Sequence, residues 1–329
     1  MSASRKALLA ELLAPVAHDM ERMAEIMRDQ LLDDSPAVSD MVHHVGRFQG
    51  KQLRGALVLL SGEATGNSTD EHAAVAAIVE MIHLATLVHD DILDGAEKRR
   101  RVACINQRWD NQVAVLLGDF LYARAFALST TLSSRLCSRL LAETTRRLCV
   151  GEIEQNASRY DFELSQERYE SIAAAKTASL YAAACELGAR YPGGNEELGT
   201  MMREFGFELG LAFQIVDDCL DLIGSEDRVG KTVGTDVEDG KVTLAVLHTY
   251  RMASDEQRAR IRDIYTEPGV QGRAALLRDE CDLEPGLAYA MDRASELVDS
   301  GLARLRSLGR TPARNTMEGL SEFVLKRSW

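Results

Sequence analysis

The chain has 329 residues, of which 46% are hydrophobic and 27% charged, and its formal net charge at pH 7 is −13. So acidic a balance argues against nucleic-acid binding, which depends on a basic surface. The six cysteines form no C-x-x-C pair, which argues against a disulfide framework or a zinc site and favours buried thiols in a reducing cytoplasm. We expect neither a signal peptide in residues 1–19 nor a stretch of membrane-spanning length.

Long helices are expected, because residues 37–191 contain no proline and are rich in alanine, leucine, glutamate and arginine. Apolar positions recur at helical spacing and predict helices at roughly 5–33, 51–65, 70–94, 109–131, 134–158, 166–189, 195–223, 241–252, 254–264, 284–307 and 312–327. The polar, glycine-bearing segment 224–240 is the longest predicted loop. No shift in composition marks a boundary, so residues 1–329 are predicted to form a single all-α domain.

Two acidic motifs with the same D-D-x-x-D spelling, at 90–94 and 217–221, lie in otherwise apolar sequence. Aspartates one and four residues apart share a helical face, where like charges repel. Two copies of this unfavourable arrangement indicate a shared counter-ion. A hard divalent cation such as magnesium, bound through oxygen and bridging substrate phosphates, satisfies that requirement.

Basic residues accompany both motifs. The run Glu97–Arg101 follows the first, and guanidinium groups beside metal-bridging carboxylates suit a diphosphate. Other candidate phosphate contacts are Lys51, Arg54, Lys176, Lys231 and Lys241. A charged helix end in water, or a lysine that snorkels from an alanine-rich helix, would give the same pattern without any ligand.

Taken in order, these blocks resemble the trans-type polyprenyl diphosphate synthase family over about 200 of the 329 residues. The matching blocks are G-K-x-x-R (50–54), I-H-x-A-T-L-V-H-D-D-x-x-D (82–94), R-R (99–100), L-L-G-D-F-L (116–121), K-T (176–177), F-Q-x-x-D-D-x-x-D (213–221), G-K (230–231) and G-K-x-T-L (240–244). The resemblance is greatest to long-chain members, from hexaprenyl to decaprenyl, such as octaprenyl diphosphate synthases. It implies an all-α bundle around a deep central cavity, usually a homodimer, with the motifs in a core at about 45–250 and further helices at about 251–329.

The resemblance also implies the reaction and the site residues. Isopentenyl diphosphate is condensed with an allylic diphosphate such as farnesyl diphosphate, in the presence of Mg²⁺, with three ions per active site. The aspartates that match the metal-binding motifs are Asp90, Asp91, Asp94, Asp217, Asp218 and Asp221. All of these except Asp221 are catalytic candidates, together with Lys176 and Lys231. The residues that match the allylic diphosphate site are Arg99, Lys176, Thr177, Gln214, Lys231 and Lys241, and those that match the isopentenyl diphosphate site are Lys51, Arg54, His83 and Arg100.

Four positions depart from the family pattern. Gly55, Val242 and Ala245 replace prolines, and Arg101 replaces a glycine. None of these changes removes a charged group, so we expect activity to be retained.

Product length depends on residues one helical turn before the first motif. Ala85 and Thr86 are small where short-chain synthases commonly have an aromatic residue, which favours a long product. Met81 lies one turn deeper, where Tyr122 or Phe126 could also form the floor of the cavity, although ordinary helix packing is the favoured explanation for any one of the three.

Four alternatives stay open. They are a shorter-chain synthase, a non-catalytic subunit of a heteromeric synthase, a terpene cyclase, and a di-metal carboxylate bundle suggested by the E-x-x-H of Glu80 and His83. The cyclase would not need Lys51, Arg54 and His83. Release of a long product would also involve transient contact with a membrane.

Overall fold

A computed structural model describes residues 3–48, 50–99, 102–224 and 233–326. The first helices are α1 (Ala3–Leu13), α2 (Ala17–Leu31), α3 (Pro36–Val45), α4 (Leu53–Thr65), α5 (His72–Leu93), α6 (Ile105–Arg108), α7 (Asn111–Thr131) and α8 (Leu136–Ala157). They are followed by α9 (Gln166–Ala173), α10 (Ser179–Arg190), α11 (Glu196–Ile223), α12 (Thr235–Glu238), α13 (Leu244–Met252), α14 (Asp255–Thr266), α15 (Arg273–Glu280), α16 (Glu284–Leu305) and α17 (Pro312–Leu325). The predicted all-α bundle is confirmed, and most predicted helices agree with the observed ones to within a few residues.

The differences from prediction lie near prolines and in the loops. The predicted helix 5–33 is interrupted by a 3-10 turn, Ala14–Val16, which contains Pro15. Helix α3 was missed although Pro36 occupies its first turn, a position that suits proline. Two short strands, β1 (Lys98–Arg99) in the basic run and β2 (Val102–Ala103) just after it, pair in antiparallel fashion.

The helices pack around two hydrophobic clusters. The first is built largely from α2, α4, α5, α7, α8 and α10, and the second from α9, α13, α14 and α16. Helix α11 belongs to both, because Met202 and Phe205 lie in the first cluster and Ile215 and Val216 lie in the second. The longest helix therefore links the two halves of the core.

Helices α5 and α7 are long and apolar enough to cross a membrane by length and composition, so the expectation that no stretch reaches that length was wrong. In α5, 72% of the apolar window is buried inside the protein, as in a core helix. In α7 the buried share is 33%, and Val115 and Leu116 are exposed. Helix α5 is thus apolar because it is central, whereas α7 presents an apolar face outward.

The two aspartate motifs lie at the C-terminal ends of α5 and α11. At the opposite end of α5, Glu71 accepts hydrogen bonds from the hydroxyl groups of Tyr191 and Ser133, both at 2.5 Å. One end of the bundle therefore concentrates the predicted chemistry, and a polar network closes the other.

Candidate active site

Lys241 joins the two aspartate motifs. Its Nζ lies 2.9 Å from Asp94 Oδ1, 3.1 Å from Asp239 Oδ2 and 3.5 Å from Asp236 Oδ1. Burial opposes the charged form of this lysine, but the carboxylates of Asp236 and Asp94 outweigh burial and raise its pKa. Asp236 in turn donates its backbone N–H to Asp221 Oδ2 at 3.0 Å. An ammonium group therefore sits between carboxylates from both sides of the site.

Within the first motif the three aspartates have different environments. Asp91 is 1% exposed, and its Oδ1 accepts hydrogen bonds from Arg99 Nη2 at 2.6 Å and Nε at 2.9 Å. Asp90 and Asp94 remain partly exposed. Burial, followed by the nearby charge of Glu152, raises the pKa of Asp90 to about 7. The carboxylate of Asp91 is therefore held by Arg99 of β1, whereas those of Asp90 and Asp94 face the site.

The second motif also combines buried and partly exposed aspartates, but two of its three are buried. Asp218 is buried, and it accepts hydrogen bonds from Tyr169 Oη at 2.5 Å and from Gln214 Nε2 at 2.6 Å. Burial and the charge of Asp236 raise the pKa of Asp218 to about 7. Asp221, 2% exposed, accepts from the backbone N–H of Asp236, whereas Asp217 stays partly exposed.

Lys176 and Thr177 lie on a π-helical turn, Ala174–Ala178, between α9 and α10. Such widened turns frequently occur at functional sites. Lys176 Nζ donates to Gln155 Oε1 at 2.5 Å and lies 3.5 Å from Glu152 Oε1, while Thr177 donates to Gln214 Oε1 at 2.6 Å.

The turn approaches α8 closely at Gly151, where a Cβ would lie 2.7 Å from the backbone nitrogen of Lys176. A side chain on Gly151 would therefore displace the turn that carries Lys176 and Thr177.

Several site residues were missed by sequence reasoning. Glu152 and Gln155 on α8 hold Lys176, Tyr169 on α9 holds Asp218, and Asp236 and Asp239 surround Lys241. The G-E-x-x-Q spacing at 151–155 was a visible signal, since these positions share a helical face. Tyr169 gave no such signal.

A cavity of about 20 Å³ lies among Tyr169, Lys176, Gln214, Asp218 and Lys241.

A second cationic group lies at the start of α4. Arg54 Nη1 is 2.9 Å from His83 Nε2 on α5, and the guanidinium stacks 4.5 Å from the centre of the Tyr181 ring. The ammonium of Lys51 lies 4.7 Å from the centre of the Phe323 ring on α17. Arg54 therefore contacts His83 directly, and Lys51 lies three residues before Arg54 in the sequence.

Glu80 explains why Gly55 can replace proline. Its buried Oε1 accepts the backbone N–H of Gly55 at 2.8 Å, and proline has no N–H to donate. A Cβ at Gly55 would also overlap Met23 Sδ. Glu80 thus anchors the turn that carries Arg54. The di-metal reading of its E-x-x-H motif is not supported by this contact.

Restoring the family's proline at this position should therefore damage the protein. We expect Gly55→Pro to lower the free energy of unfolding by about 1–3 kcal/mol through loss of the Glu80 hydrogen bond, in addition to the steric cost. Denaturant unfolding compares it with Gly55→Ala, which adds a Cβ but keeps the N–H. Equal losses in the two variants would assign the whole effect to steric overlap.

Two further positions where the sequence departs from the family pattern, and the residues predicted to set product length, are placed as follows. Val242 and Ala245 are buried in the second hydrophobic cluster, so they contribute apolar packing where the family has prolines. Ala85 and Met81 are fully buried, whereas Thr86 is partly exposed. Tyr122 and Phe126 pack, partly buried, against the first cluster. Arg100, Arg101 and Lys231, whose roles are predicted from the sequence, lie outside the described residues.

No group of three histidine, cysteine, aspartate or glutamate side chains is already placed to hold one metal ion, within the part of the chain that the structure describes. Magnesium is usually held by one or two carboxylates together with waters and substrate phosphates, without a complete protein cage. Partly exposed Asp90, Asp94 and Asp217 offer only oxygen ligands, and an ammonium already lies against Asp94. The residues therefore fit a hard divalent cation that arrives with a phosphorylated ligand.

Comparison with known proteins agrees with this geometry. The family model for polyprenyl synthetase matches residues 35–276. The octaprenyl diphosphate synthase of Escherichia coli (strain K12) is 31% identical over 94% of this chain and 96% of its own length. The all-trans-nonaprenyl-diphosphate synthase (geranyl-diphosphate specific) of Rhodobacter capsulatus is 33% identical over 96% of this chain and 97% of its own.

A solved structure shows the same fold. The polyprenyl synthase from Caulobacter crescentus CB15, complexed with calcium and isoprenyl diphosphate, superposes with a TM-score of 0.91 at 32% identity. The alignment covers 97% of this chain and 98% of that one. Family, fold and site geometry converge on one conclusion: the chain belongs to the polyprenyl synthetase family and is a prenyltransferase.

Proposed function

We propose that the chain condenses isopentenyl diphosphate with an allylic diphosphate to give a long-chain all-trans polyprenyl diphosphate. The observation that carries this proposal is the meeting of Asp94, Lys241 and Asp236 between the two motifs, with the Arg54–His83 pair available for a second diphosphate. In the reaction the allylic carbon–oxygen bond breaks, and its electron pair leaves with diphosphate. The double bond of isopentenyl diphosphate attacks the resulting cation and forms the new carbon–carbon bond, and the released diphosphate takes up the proton whose loss restores neutrality.

The six aspartates have two roles in this proposal. Asp90, Asp94 and Asp217 are partly exposed and would hold Mg²⁺, three ions in all, on the allylic diphosphate. When bound, the metal stabilises the negative charge that develops on the departing diphosphate. Asp91, Asp218 and Asp221 are buried and hydrogen-bonded to protein groups, so they orient the elements that carry the metal ligands.

The cations around the motifs bind the same diphosphate. Lys176 and Lys241 are held by acidic or amide groups that a phosphate can replace as partner, and Thr177 and Gln214 are linked by a hydrogen bond beside them. Arg99 reaches the site from β1. Lys231 is assigned to this diphosphate by family resemblance. Charge-assisted hydrogen bonds from such donors become stronger as the leaving group gains charge.

The second diphosphate, that of isopentenyl diphosphate, is assigned to the group formed by Lys51, Arg54 and His83, with Arg100 added by family resemblance. The stacking of Arg54 on Tyr181 and the proximity of Lys51 to Phe323 support this placement, because aromatic faces hold the cations without neutralising them. The two substrates then occupy neighbouring but separate charged sites.

A long product is supported by the small residues beside the first motif and by the long-chain names of the two relatives described above. From Asp90 to Thr86 the helix rises about 6 Å, and from Asp90 to Met81 it rises about 13.5 Å. The growing tail would follow α5 away from the aspartates. The apolar interior also keeps water from the cation.

We further propose a cytoplasmic homodimer of single-domain chains, with transient membrane contact when product is released. The single domain is supported by α11, which belongs to both hydrophobic clusters. The dimer is supported by exposed apolar side chains on α7 and α8, of which Leu116 is 67% and Ile153 68% exposed. Such apolar exposure is typical of an interaction surface.

A charge introduced on this surface should separate the subunits. We expect Leu116→Glu to shift the sedimentation coefficient from that of a dimer to that of a monomer, because a carboxylate would be desolvated in the interface. Met252→Glu is the matched control, since Met252 is 72% exposed on another helix. Dimers in both variants would place the interface elsewhere.

The reaction itself is tested by omission. Release of diphosphate should require isopentenyl diphosphate, farnesyl diphosphate and Mg²⁺ together, and EDTA should abolish it. Release that continues without isopentenyl diphosphate would instead support a cyclase or hydrolase.

A further inference from the structure

Gln52 lies at the entrance to α4, between the predicted diphosphate contacts Lys51 and Arg54, and neither the motifs nor the fold assign it a role. Its backbone is left-handed, with φ 47° and ψ 41°, a region that residues other than glycine rarely adopt. Strained residues of this kind cluster at ligand-binding sites, where the surrounding structure holds them in place.

The side chain of Gln52 does not explain this strain. Gln52 precedes the first helical residue, but its side chain makes no capping hydrogen bond to the first turn of α4. Its Nε2 is buried, and no hydrogen-bond partner for it lies within the described part of the chain. A buried amide nitrogen without a partner is costly, and native proteins rarely leave one without a reason.

A second donor, two residues further along the chain, is in the same condition. Arg54 Nε is also buried without a hydrogen-bond partner among the described residues, although Arg54 Nη1 meets His83. Two unsatisfied N–H donors therefore occur two residues apart in the sequence, directly after Lys51. A diphosphate offers several negatively charged oxygens, so one such ligand can accept hydrogen bonds from both donors.

We propose that Gln52 donates a hydrogen bond from Nε2 to the diphosphate of isopentenyl diphosphate, and that its left-handed backbone is kept because it delivers this donor beside Lys51 and Arg54. The proposal rests on the function proposed above, and it adds a binding residue that the family motif does not specify. It also places Gln52 outside the predicted allylic site, whose assigned residues are Arg99, Lys176, Thr177, Gln214, Lys231 and Lys241.

Two substitutions of Gln52 separate the effect of the side-chain donor from the effect of the backbone strain. Gln52→Met keeps the length of the side chain and the strain but removes the donor. Gln52→Gly removes the donor and also relieves the strain, because glycine accepts positive φ. We expect both variants to raise the KM for isopentenyl diphosphate by roughly tenfold, as for loss of a hydrogen bond to a charged group, with the KM for farnesyl diphosphate unchanged. Gln52→Gly should unfold at the same temperature as wild type or higher.

Gln271→Met is the control, since it removes an exposed glutamine amide beside another left-handed residue, Gly272. It should change neither KM. An unchanged KM for isopentenyl diphosphate in Gln52→Met or in Gln52→Gly would overturn the proposal.

Calorimetric titration of isopentenyl diphosphate into each protein, without the allylic substrate, measures binding independently of turnover. It therefore tests the role of Gln52 separately from the proposed function. Weaker binding by both Gln52 variants supports the role of Gln52 even if wild type forms no product, which would overturn the function alone. Equal binding by wild type and variants, or no binding by wild type, overturns the role of Gln52.

Discussion

Asp90→Asn should lower kcat by at least about a thousandfold while leaving the fold intact, because it removes a carboxylate that the proposed function assigns to the metal on the departing diphosphate. Since burial raises the pKa of Asp90 to about 7, its ionised form is unfavourable in the metal-free protein. Steady-state kinetics and helical circular dichroism at the same pH measure both effects. Undiminished turnover would exclude Asp90 as a metal ligand.

The pH dependence of stability gives an independent measurement. The unfolded Asp90 has a pKa near 3.8 and the folded one near 7, so this group favours folding below pH 3.8 and loses that contribution as the pH rises to 7. In the absence of metal, Asp90→Asn should therefore gain stability relative to wild type across this window. A constant difference from pH 4 to pH 8 would contradict the raised pKa.

Asp91→Asn is the matched contrast on the neighbouring residue. It breaks the buried pair with Arg99 and leaves a largely buried guanidinium without its carboxylate, which we expect to cost about 3 kcal/mol in the free energy of unfolding. Denaturant unfolding should thus separate the two variants, with Asp90→Asn stable and inactive and Asp91→Asn destabilised. The same loss of stability in both would remove the distinction between site-facing and structural aspartates.

Thr86→Phe should shorten the product to about four isoprene units or fewer. Thr86 is partly exposed one turn before Asp90, about 6 Å along α5, so an aromatic ring there would block the path of the growing tail. The Thr86 hydroxyl bonds only locally, to the carbonyl oxygen of His83 at 2.7 Å, so its loss should cost little stability. Mass spectrometry of the products measures the change in length.

Thr266→Phe is the control for this substitution. Thr266 is exposed on α14, and its hydroxyl also bonds locally, to the carbonyl oxygen of Arg262 at 2.8 Å. The control should make the wild-type product. A wild-type product from Thr86→Phe would show that the tail does not pass this residue.

Much of this architecture could be predicted from the sequence because local sequence patterns determine it. Helical periodicity located α5, α7, α8 and α11, and the D-D-x-x-D spacing placed both motifs on helices. Family resemblance assigned Arg54 and His83 to one diphosphate site, which stays a prediction, and in the structure Arg54 Nη1 lies 2.9 Å from His83 Nε2. These features depend on neighbours along the chain or on the order of the motifs in it.

The division of the aspartates could not be predicted in the same way. The side chains of adjacent helical residues point in directions about 100° apart. The D-D-x-x-D motif alone therefore does not show whether Asp90 or Asp91 faces the site. That choice is made by tertiary partners, Arg99 for Asp91 and Tyr169 for Asp218. The substitution of Gly55 for proline likewise becomes intelligible only through Glu80, which lies 25 residues away on another helix.

The mass of the product tests the central claim most directly. Purified protein is incubated with Mg²⁺, farnesyl diphosphate and an excess of isopentenyl diphosphate, and the extracted product is analysed by mass spectrometry. We predict an all-trans polyprenyl diphosphate of six to ten isoprene units, absent when isopentenyl diphosphate or Mg²⁺ is omitted. Recovery of unextended farnesyl diphosphate, or of a cyclised hydrocarbon, would contradict the proposed function.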